Sequence, residues 1–329
     1  MPFYSKSMDI KDRKILAELL ANSRIPISRL AKNVGISREV ALYRLNNLIK
    51  DKIILGFYTI INTELLSYSR FTCFFQLKGI SNIKEREFLQ FLLEHKFVTY
   101  LGPVIGKWNI VFDLLAKDKN HLNSLVKEIT DYIKPYIEDY KIITTATEQE
   151  VFPAKLLGIK KEIEYKKSSK KIRLDNKDLG ILKLISANSR IEYVEISKKL
   201  KLTPNAIKYR LKNLEQSGII KGYTISIDMR KLDYEWYNIQ IKLTDKKELQ
   251  LKQFLKQHKM VIYYYKYLKN KEWDFDIGII VKNSLELRDF ILELKEYFGD
   301  ILKIHDSYSV IEELKGNYAP EGIFSLYKI

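Results

Sequence analysis

Apolar residues recur at helical spacing in three short segments near the start of the chain. The first segment follows Asp9, which suits a helix N-cap, and Asp12, which places negative charge in the first turn. The inward face of this segment has four apolar residues: Ile15, Leu16, Leu19 and Leu20. The pattern predicts a helix that begins near Asp9 and ends near residues 22–24.

Two more helices are predicted before residue 50. Pro26 suits the first turn of the second helix, Gly35 ends that helix, and Ser37 suits the N-cap of the third. The inward positions of the third helix follow at i, i+4 and i+7: Ala41, Leu45 and Leu48. Three helices with a tight turn before the third predict a helix-turn-helix.

The same pattern returns at a constant offset of 166 residues, since residues 9–57 align with residues 175–223 without a gap. An identical Ala-Asn-Ser-Arg-Ile segment occupies residues 21–25 and 187–191. A duplicated unit explains this match, and an extended segment follows each third helix. Two helix-turn-helix domains are therefore predicted, over residues 8–60 and 174–226.

The third helix of a helix-turn-helix enters the major groove, where outward residues near its N-terminus meet base edges. Arg44 and Arg210 each precede an inward Leu, so we expect them to hold phosphates rather than read bases. The alternative for each polar position is a solvated helix face. The predicted DNA contacts are Ser37, Arg38, Glu39, Leu42, Tyr43, Arg44 and Asn47, then Thr203, Asn205, Lys208, Tyr209, Arg210 and Lys212.

Strand-like and helical segments alternate after each helix-turn-helix. In the first copy, the strand-like segments are 70–79, 98–105, 109–116 and 137–145, and the helical ones are 85–94 and 122–132. In the second, they are 237–243, 261–268, 274–281 and 301–310, with helices at 249–257 and 285–297. The order is βαββαβ, which predicts a ferredoxin-like sandwich in each copy. The fold class is thus α+β, with two winged or three-helix helix-turn-helix domains and two ferredoxin-like domains.

The remaining boundaries follow from composition. We place the ferredoxin-like sensing and dimerisation domains at residues 61–158 and 227–317, a basic linker at 159–173 and a tail at 318–329.

Cys73 is the only cysteine, which excludes an intrachain disulfide and fits a cytoplasmic protein. The chain has no apolar run of the roughly 18 residues that span a bilayer, so no membrane role is expected.

Lys and Arg outnumber Asp and Glu by 57 to 41, which gives a formal net charge of +16. Such a field suits a surface that binds phosphates, although a Lys-rich composition alone also produces it. The charge therefore supports double-stranded DNA as a partner only together with the helix-turn-helix pattern.

The chain resembles the Lrp/AsnC (leucine-responsive, feast/famine) family of transcription regulators. The residues that carry the resemblance, with their counterparts in the second half, are Asp9, Asp12, Ile15-Leu16, Asn22-Ser23-Arg24, Leu30-Ala31, Arg44-Leu45, Leu48, Ile54 and Gly56. The resemblance implies a DNA-binding domain joined to a ligand-sensing domain that dimerises through its sheet. Two fused copies would then form a pseudo-dimer within one chain, with further homo-oligomers open.

The resemblance also implies a small-molecule effector such as an amino acid, bound near the turn between the second and third strands. The residues at that place are Gly102, Gly106, Asn109 and Asp274. Asn109 stands where the family has Asp, and Lys271 stands where a glycine would match in the second copy. Glycine here equally suits a hairpin with positive φ.

Enzymatic chemistry has little support in the sequence. The chain has no P-loop, nucleophile elbow or paired-cysteine motif, and its four histidines are scattered, so we expect no catalytic residues, metal site or cofactor.

Two alternatives to a sequence-specific regulator stay open. Siroheme decarboxylases share the two-part architecture and also occur as fused subunits, but they need His and Arg for a polycarboxylate tetrapyrrole. A non-specific architectural DNA-binding protein would depend on charge alone.

Overall fold

The computed structural model describes residues 8–151, 157, 173–244, 247–267 and 270–325. Each half begins with three helices and a strand. In the first half these are α1 (Ile10–Ala21), α2 (Ile27–Val34), α3 (Arg38–Lys50) and β1 (Ile54–Ile61). In the second half they are α6 (Asn176–Ala187), α7 (Tyr193–Leu200), α8 (Pro204–Gln216) and β6 (Ile220–Ile227).

The helix ends follow the predicted capping residues. The Asp9 side chain accepts a hydrogen bond from the Lys11 backbone N–H at 3.0 Å, and Asp175 forms a capping box with Asp178. Pro26 lies just before the first residue of α2, and Gly35 ends that helix with a φ of 73°. The local signals for the helix-turn-helix are therefore satisfied by local hydrogen bonds.

A ferredoxin-like sandwich follows in each half, as predicted. The first contains β2 (Ser69–Leu77), α4 (Asn82–Glu94), β3 (Val98–Ile105), β4 (Ile110–Ala116), α5 (Lys119–Ile133) and β5 (Ile137–Val151). The second contains β7 (Glu235–Leu243), α9 (Glu248–Gln257), β8 (Val261–Tyr267), β9 (Phe275–Val281), α10 (Ser284–Phe298) and β10 (Leu302–Val310). The strand orders are β5-β2-β4-β3 and β10-β7-β9-β8.

The two sheets join at both edges. β5 pairs antiparallel with β8, with Gln149 opposite Tyr265, and β10 pairs with β3, with Val310 opposite Val104. Among the described strands, eight thereby close into a barrel, and a short β11 (Lys315–Gly316) adds to β3. Each open sheet face thus lies against the sheet of the other copy.

The chain segments that leave the sheets return to the helical domains. Leu157 is buried in the core of the first helix-turn-helix, beside Leu16. Ile323 and Phe324, in the described part of the predicted tail, are buried in the core of the second, beside Leu182. The predicted basic linker lies outside the described residues, apart from residue 173. No described helix is long and apolar enough to cross a membrane.

A hydrogen-bond chain crosses the barrel interior. Trp236 Nε1 donates to the Tyr263 hydroxyl at 3.2 Å, and that hydroxyl donates to Asn238 Oδ1 at 2.7 Å. Asn238 Nδ2 then donates to the Tyr308 hydroxyl at 2.6 Å, which donates to Asp276 Oδ2 at 3.0 Å. Asp276 is fully buried, and this burial raises the pKa of its carboxyl group to about 7.

The raised pKa of Asp276 predicts a loss of stability as pH rises. The folded protein holds this proton up to about pH 7, whereas the unfolded chain releases it near the ordinary value of 3.8. Relative to Asp276→Asn, the wild-type free energy of unfolding should fall by about 3 kcal/mol between about pH 5 and about pH 8. Urea unfolding at both pH values measures the difference.

The matched control is Asp289→Asn, at an exposed position of α10. This variant measures the general effect of removing one exposed carboxylate, which is subtracted from the effect of Asp276→Asn. A wild-type curve that stays parallel to that of Asp276→Asn across this range would contradict the assignment.

Candidate nucleic-acid interface

The predicted DNA contacts lie mainly on the solvent face of the third helices. Leu42, Tyr43 and Tyr209 are large apolar side chains with exposed fractions of 47%, 67% and 67%. The other exposed positions are Ser37, Arg38, Glu39, Thr203, Asn205, Lys208 and Lys212, while Arg44, Asn47 and Arg210 are half-buried. Grouped apolar side chains on an exposed surface are typical of an interaction site.

Ser37 and Thr203 fix the first turns of these helices. The Ser37 hydroxyl accepts a hydrogen bond from the Val40 backbone N–H at 3.2 Å, and the Thr203 hydroxyl accepts one from Ala206 at 3.2 Å. The Glu39 carboxyl group has a lowered pKa because its own backbone N–H and then Ser37 donate to it. These contacts set the direction in which the exposed face of each helix points.

Arg44 and Arg210 are held inside their own domains. The Arg44 guanidinium forms ion pairs with Asp9 at 2.8 Å and Asp12 at 3.0 Å. Arg210 repeats this arrangement with Asp175 at 2.8 Å and Asp178 at 2.7 Å. Because each guanidinium pairs with two carboxylates at the start of the first helix, a role in joining the third helix to the first accounts for these contacts without DNA. Phosphate binding by either arginine stays a prediction.

The two helix-turn-helix domains interlock through the repeated Ala-Asn-Ser-Arg-Ile segment. The buried hydroxyls of Ser23 and Ser189 lie 2.5 Å apart and share a hydrogen bond. Arg24 donates to the carbonyl oxygens of Ser189 and Ile191, the latter at 3.3 Å. Arg190 donates to those of Ser23 at 2.6 Å and Ile25 at 3.2 Å. Each copy therefore makes the same contact with the other.

A two-stranded ribbon continues this contact. β1 pairs antiparallel with β6, with Tyr58 opposite Thr224 and Thr59 opposite Tyr223. The Thr59 hydroxyl donates to the Ile185 carbonyl oxygen at 2.7 Å, and the Thr224 hydroxyl donates to that of Leu20 at 3.0 Å. Sequence reasoning predicted the extended segments but not their pairing. The identity of the two Ala-Asn-Ser-Arg-Ile segments was the available signal for a shared contact.

The predicted effector residues have structural partners. Asn109 Oδ1 accepts from the Leu77 backbone N–H at 2.6 Å. Asp274 Oδ2 accepts from Leu243 at 2.9 Å, and Asp274 Oδ1 pairs with Lys242 at 2.7 Å. Each side chain thus ties a strand end to the first strand of its own sheet. An amino-acid site at these residues stays a prediction.

The two glycines of this predicted site have different roles. Gly106 has a φ of 156°, in the turn between β3 and β4, as a hairpin with positive φ requires. Gly102 lies within β3, where a Cβ would come within 2.6 Å of the Tyr100 hydroxyl and 3.2 Å of the Glu312 carbonyl oxygen. Gly102 therefore makes room for Tyr100.

Known proteins resemble this chain in sequence. The sequence profile of winged helix-turn-helix DNA-binding domains matches residues 8–54 and 174–221. An uncharacterized HTH-type transcriptional regulator of Pyrococcus furiosus is 32% identical over 142 residues, which cover 42% of this chain and 91% of that relative. The leucine-responsive regulatory protein of Haemophilus influenzae is 40% identical over 62 residues, or 19% of this chain and 37% of that protein. The chain belongs to the Lrp/AsnC family.

This Lrp/AsnC chain also has a whole-length neighbour among solved structures. The siroheme decarboxylase NirDL superposes with a TM-score of 0.62 and 15% sequence identity, over 96% of this chain and 97% of NirDL. At this identity the likeness concerns the fold. It shows that the complete two-copy arrangement occurs in another protein.

Arg44→Ala is expected to destabilise the first helix-turn-helix by about 1 kcal/mol, because a partly exposed guanidinium loses two ion pairs. The matched control is Arg38→Ala on the exposed face of the same helix. Thermal unfolding of both variants measures the effect. Equal melting temperatures for the two variants would argue against the joining role of Arg44.

Proposed function

We propose that this protein is a sequence-specific regulator of transcription that binds double-stranded DNA, and that its two fused copies act as a pseudo-dimer. The observation that carries the proposal is the pair of capped third helices joined through the Ser23–Ser189 contact and the β1–β6 ribbon. In this proposal the helices enter neighbouring major grooves, roughly one helical turn or a multiple apart.

Charge and exposure support DNA as the partner. The formal net charge of +16 favours association with phosphates. The side chains of Leu42 and Tyr43 are exposed, and their burial against a partner would be favourable. The Pyrococcus furiosus relative is named as a transcriptional regulator, which supports the same role here.

The two recognition faces have different chemistry. Arg38, Glu39 and Leu42 in α3 correspond to Pro204, Asn205 and Lys208 in α8. A homodimer would present the same face twice, whereas these faces offer different hydrogen-bonding groups to bases. We therefore expect an operator with two related but unequal half-sites.

A second candidate is a tetrapyrrole enzyme, favoured by the whole-chain likeness to a siroheme decarboxylase. The central cavity of the chain has a volume of about 160 Å³, close to the roughly 150 Å³ of a cavity that admits benzene. A tetrapyrrole is several times larger. Among the described lining residues, Arg70 alone carries a guanidinium, against the carboxylates Asp113 and Glu313. This lining suits a polycarboxylate substrate poorly.

The test is selection of bound duplexes from a random pool by the full chain at two salt concentrations. We expect an asymmetric bipartite motif. A strict palindrome would refute the unequal half-sites, and salt-sensitive retention without any motif would favour an architectural DNA-binding protein. No retention, together with a Soret band that stays with the chain when unbound siroheme is removed by gel filtration, would favour the enzyme.

Lys208→Ala should change base preference in one half-site only. The lysine lies on the exposed face of α8, and a lost base contact costs about 1–3 kcal/mol of discrimination. Lys198→Ala, at an exposed position of α7, is the matched control and should leave the motif unchanged. Selection with each variant checks this, and a uniform change across both half-sites would show that Lys208 contacts phosphate only.

The paired change Arg24→Ala and Arg190→Ala should relax the spacing between half-sites. Each guanidinium bonds to carbonyl oxygens of the other copy, so its loss loosens the joint between the domains. Selection should then recover motifs with more than one spacing. Arg13→Ala, exposed on α1, is the control, and a spacing as strict as that of wild type in the paired variant would contradict this role.

A further inference from the structure

The central cavity lies between the β1–β6 ribbon and the inner face of the barrel. Tyr58 and Ser226 contribute to its lining from the ribbon, and Asp113, Trp236 and Tyr265 from the barrel strands. Its volume of about 160 Å³ suits a small organic molecule. The cavity takes no part in the predicted DNA contacts or in the predicted effector site at the β3–β4 turn, apart from Gly102 lying under Tyr100.

The charges that line the cavity do not balance. Arg70 lies 3.8 Å from Asp113, which compensates both groups. Glu313 has no ion-pair partner among the described residues, and its carboxylate accepts a hydrogen bond from the Ser226 hydroxyl at 2.7 Å. Burial raises the pKa of the Glu313 carboxyl group, and the bond from Ser226 partly offsets this. An ionised Glu313 therefore lacks a countercharge in the cavity.

Aromatic side chains line the same cavity as this carboxylate, among them Tyr58, Tyr100 and Tyr318. Burial, and then the charge of Glu313, raise the pKa of Tyr58, Tyr100 and Tyr318, so all three phenols lie within its field. Trp236 extends the wall, with its ring centroid 6.4 Å from that of Tyr100. A carboxylate among aromatic rings attracts cations through charge and through the ring quadrupoles.

Glycine gives Glu313 the space for this position. A Cβ at Gly316 would lie 2.7 Å from Glu313 Cδ, so any other residue at 316 would push the carboxylate away. Gly102 does the same for Tyr100, as described above. The carboxylate and one of its rings thus both depend on a close approach to glycine.

The lining also differs between the two copies. Arg70 and Asp113 in the first copy correspond by strand position to Trp236 and Gly278 in the second. The interior of the barrel is therefore asymmetric, although the two sheets that form it repeat the same fold. A ligand in this cavity therefore meets different groups on its two sides.

We propose that the cavity binds one small organic ammonium ion per chain, with its charge against Glu313 and its alkyl groups against Tyr58, Tyr100 and Tyr318. The ammonium ion supplies the missing countercharge, and its apolar groups fit the aromatic wall. This proposal does not rest on the function proposed above, since binding is measured without DNA.

The test is calorimetric titration of the full chain with choline and with 3,3-dimethylbutan-1-ol. This alcohol has the shape of choline but carries carbon in place of the charged nitrogen. Choline should bind, and dimethylbutanol should bind at least about tenfold more weakly. Glu313→Gln should weaken choline binding at least about tenfold, because it removes the charge and keeps the shape. Glu312→Gln is the matched control, since that neighbouring carboxylate pairs with Arg230 at 2.9 Å instead.

A second pair of variants keeps the test decisive if Glu313→Gln does not fold. Tyr100→Phe retains the ring and should bind choline, whereas Tyr100→Leu should weaken binding by about tenfold. Equal binding of choline and its uncharged analogue, or no binding of either at millimolar concentration, overturns the proposal. Preferential binding of acetate that is lost in Arg70→Ala also overturns it and assigns the cavity to an anion.

Discussion

The edge strands of each sheet find their partners in the other copy. β3 and β5 are the edges of the first sheet, β8 and β10 are those of the second, and the pairs β5–β8 and β3–β10 close the barrel. Unpaired strand edges leave main-chain donors and acceptors exposed and invite aggregation. Because the copies are covalently joined, this pairing is intramolecular and does not depend on protein concentration. The helical domains meet across the same approximate two-fold relation, through β1–β6.

Fusion also removes a restriction on the barrel interior. In a symmetric homodimer, every residue at the contact occurs twice, so a buried aspartate on one side brings a second one. Here Asp113 corresponds to Gly278, and Asp276 corresponds to Val111, so each carboxylate occurs once. Asp276 accepts hydrogen bonds at the end of a chain that begins at Trp236, and Asp113 accepts one from Thr72 at 2.8 Å. Divergence of the copies therefore allows polar groups that would repel each other as identical pairs.

Local signals explain what the sequence could predict. Asp9, Ser37 and Gly35 cap the ends of adjacent helices. The alternation of apolar and polar residues along a strand is likewise visible over a few neighbouring positions. The helices and the βαββαβ order were therefore predictable. The β1–β6 pairing was not predictable, because it joins Tyr58 to Thr224, which are far apart in the sequence. Arg44 shows the same limit at the candidate site. A polar position on a helix has a known direction, but sequence spacing does not show whether Asp9 or a phosphate lies there. Glu313 was missed because Tyr58 and Tyr100, which line the cavity with it, lie more than 200 residues earlier in the chain.

Strand β6 contacts both the first helix-turn-helix domain and the central cavity. Its Thr224 bonds to α1, and its Ser226 donates to Glu313 at the cavity. A ligand in the cavity changes the placement of the recognition helices only if it binds one arrangement of the ribbon more tightly than another. By linkage, such a ligand would change DNA affinity by the same factor by which DNA changes the affinity for the ligand. Because Ser226 uses its hydroxyl and not its main chain for the Glu313 contact, that contact can change while the β1–β6 ladder stays paired.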